Sequence, residues 1–130
     1  MKLVTFIHKN KQKIGHLCCD IDDSNYRNEG YVIDLSYSFE YIDMLDFIKK
    51  DGINNTEVKE YINSDKVKKY SLSEIIIATP INPRSLRDAY AFRQHVETSR
   101  KNRGLEMIEE FDNFPVYYYS NADGIVGPGD

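Results

Sequence analysis

Tryptophan is absent from this 130-residue chain, cysteine occurs only twice and proline four times, and the formal net charge is −4. Each shortage excludes something. With 17 Lys and Arg against 21 Asp and Glu, the chain lacks the basic footprint of a nucleic-acid-binding module. The longest strongly apolar run, Ile75 to Ala78, falls far short of the roughly 20 residues that a membrane-spanning helix needs, so no membrane partner is expected. The first seven residues begin like a signal peptide, but the polar stretch from His8 to Lys11 ends the apolar core too early. Cys18 and Cys19 are adjacent, with no third thiol to pair with. That pattern gives no disulfide framework and suits a reducing, cytoplasmic setting. Asn54-Asn55-Thr56 then reads as a turn and not as a glycosylation site.

What is present is enough for a core. Hydrophobic residues make up 41% and charged residues 29%, which excludes a disordered tail and a fibrous repeat. At this length the chain holds one compact domain, or one small domain and part of a second. Residues 2–7, 13–19 and 30–35 are short, apolar-leaning and bounded by turn residues, which predicts a strand meander forming a small twisted or barrel-like sheet. Tyr41, Met44, Leu45 and Ile48 recur with helical spacing, and Gly52 stands where that helix would stop. A second helix is predicted from Thr56, with Val58, Tyr61 and Ile62 on one face and Lys66, Lys68 and Lys69 near its end. Residues 72–78 read as a further strand.

Pro80 and Pro83, two prolines within four residues, mark the expected domain boundary, giving residues 1–80 and 81–130. Beyond it the spacing predicts a helix over 85–103, opened by Ser85 with Asp88 three residues on and closed by Gly104. Residues 114–120 read as a strand. The final Gly-Pro-Gly-Asp reads as a turn toward another strand, so the expectation is a second domain begun and not finished. The fold class expected is therefore α+β: a barrel-like β domain with a helical pair, followed by the truncated start of a mixed β-roll.

The densest run of reactive side chains is 86–95. On one helix Asp88 and His95 would lie two turns apart, within roughly 20° of a common face and roughly 10.5 Å from Cα to Cα. A carboxylate is a hard ligand for Mg²⁺ or Ca²⁺, and imidazole is suited to take a proton from water near neutrality. The same two residues also read as a helix cap and a satisfied core or surface histidine. From Arg84 to Arg103 there are six basic residues against two acidic ones, able to draw an anion into a cleft or simply to form a solvated face.

At these residues the chain resembles the fumarylacetoacetate hydrolase family in its bacterial branch. The resemblance runs through the opening Met-Lys-Leu-Val-Thr-Phe, Lys13-Ile14-Gly15, Val32 to Leu35 and Asp43 to Phe47. It continues through Leu86 to Val96 (Leu-Arg-Asp-Ala-Tyr-Ala-Phe-Arg-Gln-His-Val), Arg103-Gly104, Phe114 to Tyr118 and the closing Gly-Pro-Gly-Asp. It implies metal-assisted hydrolysis of a carbon–carbon bond in a β-diketo or acylpyruvate-type acid, with decarboxylation, hydration and isomerisation as related activities. It assigns Asp88 as a metal ligand, His95 as the general base, and Tyr90, Arg103 and Tyr118 as substrate contacts.

The cofactor implied for the complete site is a divalent metal (Mg, Ca or Mn). The chain departs from the family pattern in having no Glu-x-Glu pair and no Glu after Glu110. The expectations are accordingly no metal held by this chain alone, no activity alone, and a homo-oligomer or a complementing chain as partner to a site for a small oxo acid. A half-enzyme completed by a separate chain and a non-catalytic interaction module are the alternatives.

Overall fold

The computed structural model describes residues 1–19, 30–89 and 91–128. Two units are distinguished: Met1–Asn82 joined by the stretch from Ile125 onward, and Pro83–Gly124. The division falls beside Pro83. The sequence places everything after residue 80 in the second unit, but the closing stretch returns to the first, where Gly127 lies so close to the Ile77 carbonyl that a Cβ would overlap it.

The first unit is mixed α+β around a curled five-stranded antiparallel sheet. Its strands are β1 (Leu3–His8), β2 (Lys11–Cys18), β3 (Tyr31–Asp34), β4 (Lys69–Ser71) and β5 (Ile76–Ile77), in the spatial order β4-β3-β2-β1-β5. The β1–β2 register pairs His8 with Lys11, leaving Lys9 and Asn10 as a two-residue turn. Both have positive φ, 48° and 61°, the backbone that a type I′ hairpin requires. Side chains then alternate across the sheet. Phe6, Leu17, Val32 and Leu72 pack on one side, and Ile14 and Leu35 pack on the other against the helices. Gly15 permits the tight approach of β2 to β3, since a Cβ there would meet the Val32 side chain and stand 2.7 Å from the Ile33 carbonyl oxygen.

The helical pair covers the second face. In α1 (Met44–Lys49) the Asp43 carboxylate caps the first turn, accepting from the Asp46 N–H at 2.7 Å. The helix closes through a Schellman arrangement: Asp51 takes φ 52°, and the N–H groups of Asp51 and Gly52 donate to the carbonyls of Ile48 and Phe47. Gly52 lies against the Phe47 ring, where no Cβ fits. In α2 (Thr56–Ile62) the Asn55 side-chain oxygen accepts from the N–H groups of Glu57 and Val58. Met44, Phe47 and Val58 are the buried residues of the pair.

Two elements differ from the sequence expectation. Lys69 belongs to β4, not to the end of α2, because the helix stops at Ile62 and residue 70 pairs with Val32. The strand expected over 72–78 shrinks to Ile76–Ile77. Ser71 and Glu74 form a capping box that turns Leu72–Glu74 into a short 3-10 helix.

The second unit contains β6 (Leu86–Ala89), α3 (Arg93–Lys101), α4 (Glu110–Asn113) and β7 (Tyr117–Ser120). Its two strands form an antiparallel ribbon pairing Leu86 with Ser120, Arg87 with Tyr119, Asp88 with Tyr118 and Ala89 with Tyr117. The helix expected over 85–103 is thereby corrected. Its first part is strand, and the helix begins only at Arg93. Strand pairing with Tyr117–Ser120 gives the backbone of Leu86–Ala89 its partners, so non-local pairing overrides the local cap signal. Gly104, at φ 71°, closes the helical run as expected.

Candidate functional site

The correction removes the helical face that would have joined Asp88 to His95. Asp88 sits on β6, exposed, directly opposite Tyr118 on β7, so the two share one face of the ribbon. His95 lies in the first turn of α3. Arg103 follows the end of that helix, its Nε donating to the Ser99 carbonyl and its terminal nitrogen to Ser99 Oγ, both at 3.1 Å. Tyr90, also assigned to substrate, lies outside the described residues.

His95 and Arg103 do come together. Both line a cavity of about 120 Å³, with Ser99 on the polar wall and Val96, Phe111 and Val116 on the apolar one. At about 30 Å³ per water, that volume holds a group of a few heavy atoms, such as a carboxylate, and not a whole substrate. His95 also lines a broad, open groove of about 680 Å³ with Phe92, Gln94 and Thr98. His95 thus lines both an open groove and a smaller, more enclosed seat.

Two of the six basic residues of this segment are committed to partners within it or just beyond it. Arg93 donates to Asp112 and to Glu97, each at 3.0 Å, and Arg100 donates to the Glu106 carbonyl at 2.5 Å. Arg103 spends two of its five donors on Ser99, which leaves guanidinium N–H groups for an anion.

The residues in hand do not fit a complete metal site. Among the described residues no three His, Cys, Asp or Glu side chains are grouped as metal ligands. Asp88 faces a tyrosine on an exposed ribbon and supplies one carboxylate where Mg²⁺ needs near-octahedral oxygen ligation.

Two features of the first unit escape sequence reading. Asp34 is fully buried and pairs with Lys13 Nζ at 2.5 Å, while its Oδ1 has no hydrogen-bond partner among the described residues. Burial alone pushes the Lys13 ammonium down, but the Asp34 hydrogen bond and charge outweigh it and hold the pKa above its ordinary value. The pair joins neighbouring strands, β2 and β3, and no motif signals it. A second cavity, of about 360 Å³, is lined by His16, Asn54, Lys59 and Ile62. Burial is the main cause that pushes the His16 imidazole down.

Comparison of the chain with protein families, curated proteins and solved structures finds no match. Among the described residues no helix is long and apolar enough to cross a membrane.

Proposed function

We propose that this chain is the N-terminal portion of a divalent-metal-dependent hydrolase of the fumarylacetoacetate hydrolase type, cleaving a carbon–carbon bond in a β-diketo or acylpyruvate-type acid. On this reading residues 1–80 correspond to the family's N-terminal domain and the residues after it to the start of a β-roll catalytic domain. Alone the chain is inactive. One observation supports the reading on the structural side: His95 lines an open groove and also a small seat that it shares with Arg103.

The chemistry follows from those two side chains. A free guanidinium edge of Arg103 binds the substrate carboxylate in the seat. His95 takes a proton from water in the groove, the resulting oxygen nucleophile adds to the keto carbon, and the carbon–carbon bond breaks with its electron pair leaving as an enolate. The enolate carbon then takes up a proton. A divalent metal, held by Asp88 together with carboxylates from other polypeptide, would supply electrostatic stabilisation of that enolate charge. Asp88 is the one ligand this chain offers, and the carboxylates that complete the site come from other polypeptide.

The test is complementation in a reducing, cytoplasmic expression host. This chain is co-expressed with a polypeptide carrying the Glu-x-Glu half of such a hydrolase, and acylpyruvate loss is followed. Turnover is expected only when both chains and a divalent cation are present, and His95→Gln lowers it about a hundredfold or more. Undiminished turnover in His95→Gln, or none in a mixture whose chains bind each other, contradicts the proposal. The exposed β6–β7 ribbon favours a second reading, a non-catalytic interaction module; binding without turnover is its signature.

A further inference from the structure

The ribbon of the second unit is open on both faces. All eight residues of β6 and β7 are exposed, with Tyr118 and Tyr119 each at 70%. Two-stranded ribbons are marginal in water unless a third strand or a packing face covers them. Among the described residues each strand pairs only with the other, so the ribbon has two outer edges.

Those edges differ in chemistry. The middle of β6 is Arg87-Asp88. A two-fold antiparallel pairing sets the residue at its centre opposite itself. Centred on either of those residues, such a pairing of β6 places like charges face to face, which is destabilising. The β7 edge carries nothing of the kind: residues 114–122 contain no charged side chain in a chain that is 29% charged. An uncharged, exposed strand edge is a template for another strand.

We propose that the outer edge of β7 is a self-pairing surface, and that its occupant is β7 of a second copy of this chain. Centring the two-fold axis on Tyr118 sets Tyr118 opposite Tyr118 of the second copy, and Tyr117 opposite its Tyr119. Tyr117 and Tyr119 already stand together on one face of the ribbon, ring centroids 6.4 Å apart, so that face gains a cluster of four tyrosines. The other face gains the Tyr118 pair. Cross-strand aromatic pairs of this kind are favourable beyond the area they bury. The result is a four-stranded sheet whose outer edges are the charged β6 strands, which ends the assembly at two copies. The inference does not rest on the hydrolase reading.

Sedimentation of the full chain across a wide concentration range tests it. A monomer–dimer equilibrium is expected, and Tyr118→Lys, which places two ammonium groups across the axis, weakens it about tenfold or more. Tyr118→Phe leaves it in place. A second readout guards against local unfolding in Tyr118→Lys. In a Cys18→Ser, Cys19→Ser background, Tyr118→Cys crosslinks to a covalent dimer under mild oxidation, whereas Arg87→Cys does not. A chain that stays monomeric overturns the proposal, as does a dimer unaffected by Tyr118→Lys or a crosslink formed equally well through position 87. So does a chain that pairs only when a polypeptide completing its second unit is added.

Discussion

Phe6, Phe47 and Val58 in the first unit are sealed from water, whereas Phe92, Tyr118 and Tyr119 in the second expose 79%, 70% and 70% of their surface. The contrast holds across both units. Of the eleven buried apolar side chains among the described residues, ten lie in Met1–Asn82, and Val96 alone lies in Pro83–Gly124. The first unit is held by two clusters packed on opposite sides of a curled sheet. The second is held by ribbon hydrogen bonds and by Arg93 reaching Glu97 and Asp112, ion pairs about half exposed. Exposed pairs of that kind contribute roughly 0–1 kcal/mol each. The same chain thus contains one region that folds on its own burial and one whose faces call for cover.

The sharpest break of that asymmetry is Phe47→Ala. It empties a site enclosed by α1, Gly52 and Tyr41 and is expected to cost about 3–5 kcal/mol, read as a large fall in the denaturant midpoint. Among the described residues of the second unit only Val96 has comparable burial to lose.

Next is Lys13→Met, which strands the Asp34 carboxylate. The expected loss is about 2–3 kcal/mol, below the range for a fully enclosed pair because the Lys13 side chain keeps 20% exposure. The pH dependence has a defined sign. Since the folded-state pKa of Lys13 lies above the ordinary 10.5, its stabilisation is complete below 10.5 and is lost as pH climbs through the raised value. An alkaline stability profile that falls above this point, and falls less in Lys13→Met, checks it.

The smallest effect is Arg93→Ala. Removing both of its ion pairs changes stability by about 1 kcal/mol or less and leaves the main unfolding midpoint in place. A shift as large as that of Phe47→Ala would erase the distinction between the units.

The legible part of this structure is the part governed by local rules. The alternation in β1 to β3 and the apolar spacing of α1 and α2 are written in consecutive residues; α2 starts at Thr56 as that spacing places it but stops at Ile62, short of the lysines expected near its end. What was illegible depends on distant partners. Leu86–Ala89 follows a helix-start signal and yet pairs with Tyr117–Ser120, and β4 exists because residue 70 meets Val32. The candidate site divides the same way. His95 and Arg103 share one stretch of chain and line one cavity, while Asp88, read as their helical neighbour, is carried by a strand beside Tyr118. Asp34, buried and paired with Lys13, shows no local signature at all, because its environment is assembled by the sheet.

Native-state hydrogen exchange, read residue by residue in dilute and concentrated protein, tests the asymmetry most directly. The account predicts strong, concentration-independent protection for the amides of β1 to β3, and weak protection for β6 and β7 in dilute protein that rises on the β7 edge as concentration increases. Amides of β6 and β7 as protected as those of β1 in dilute protein would contradict it.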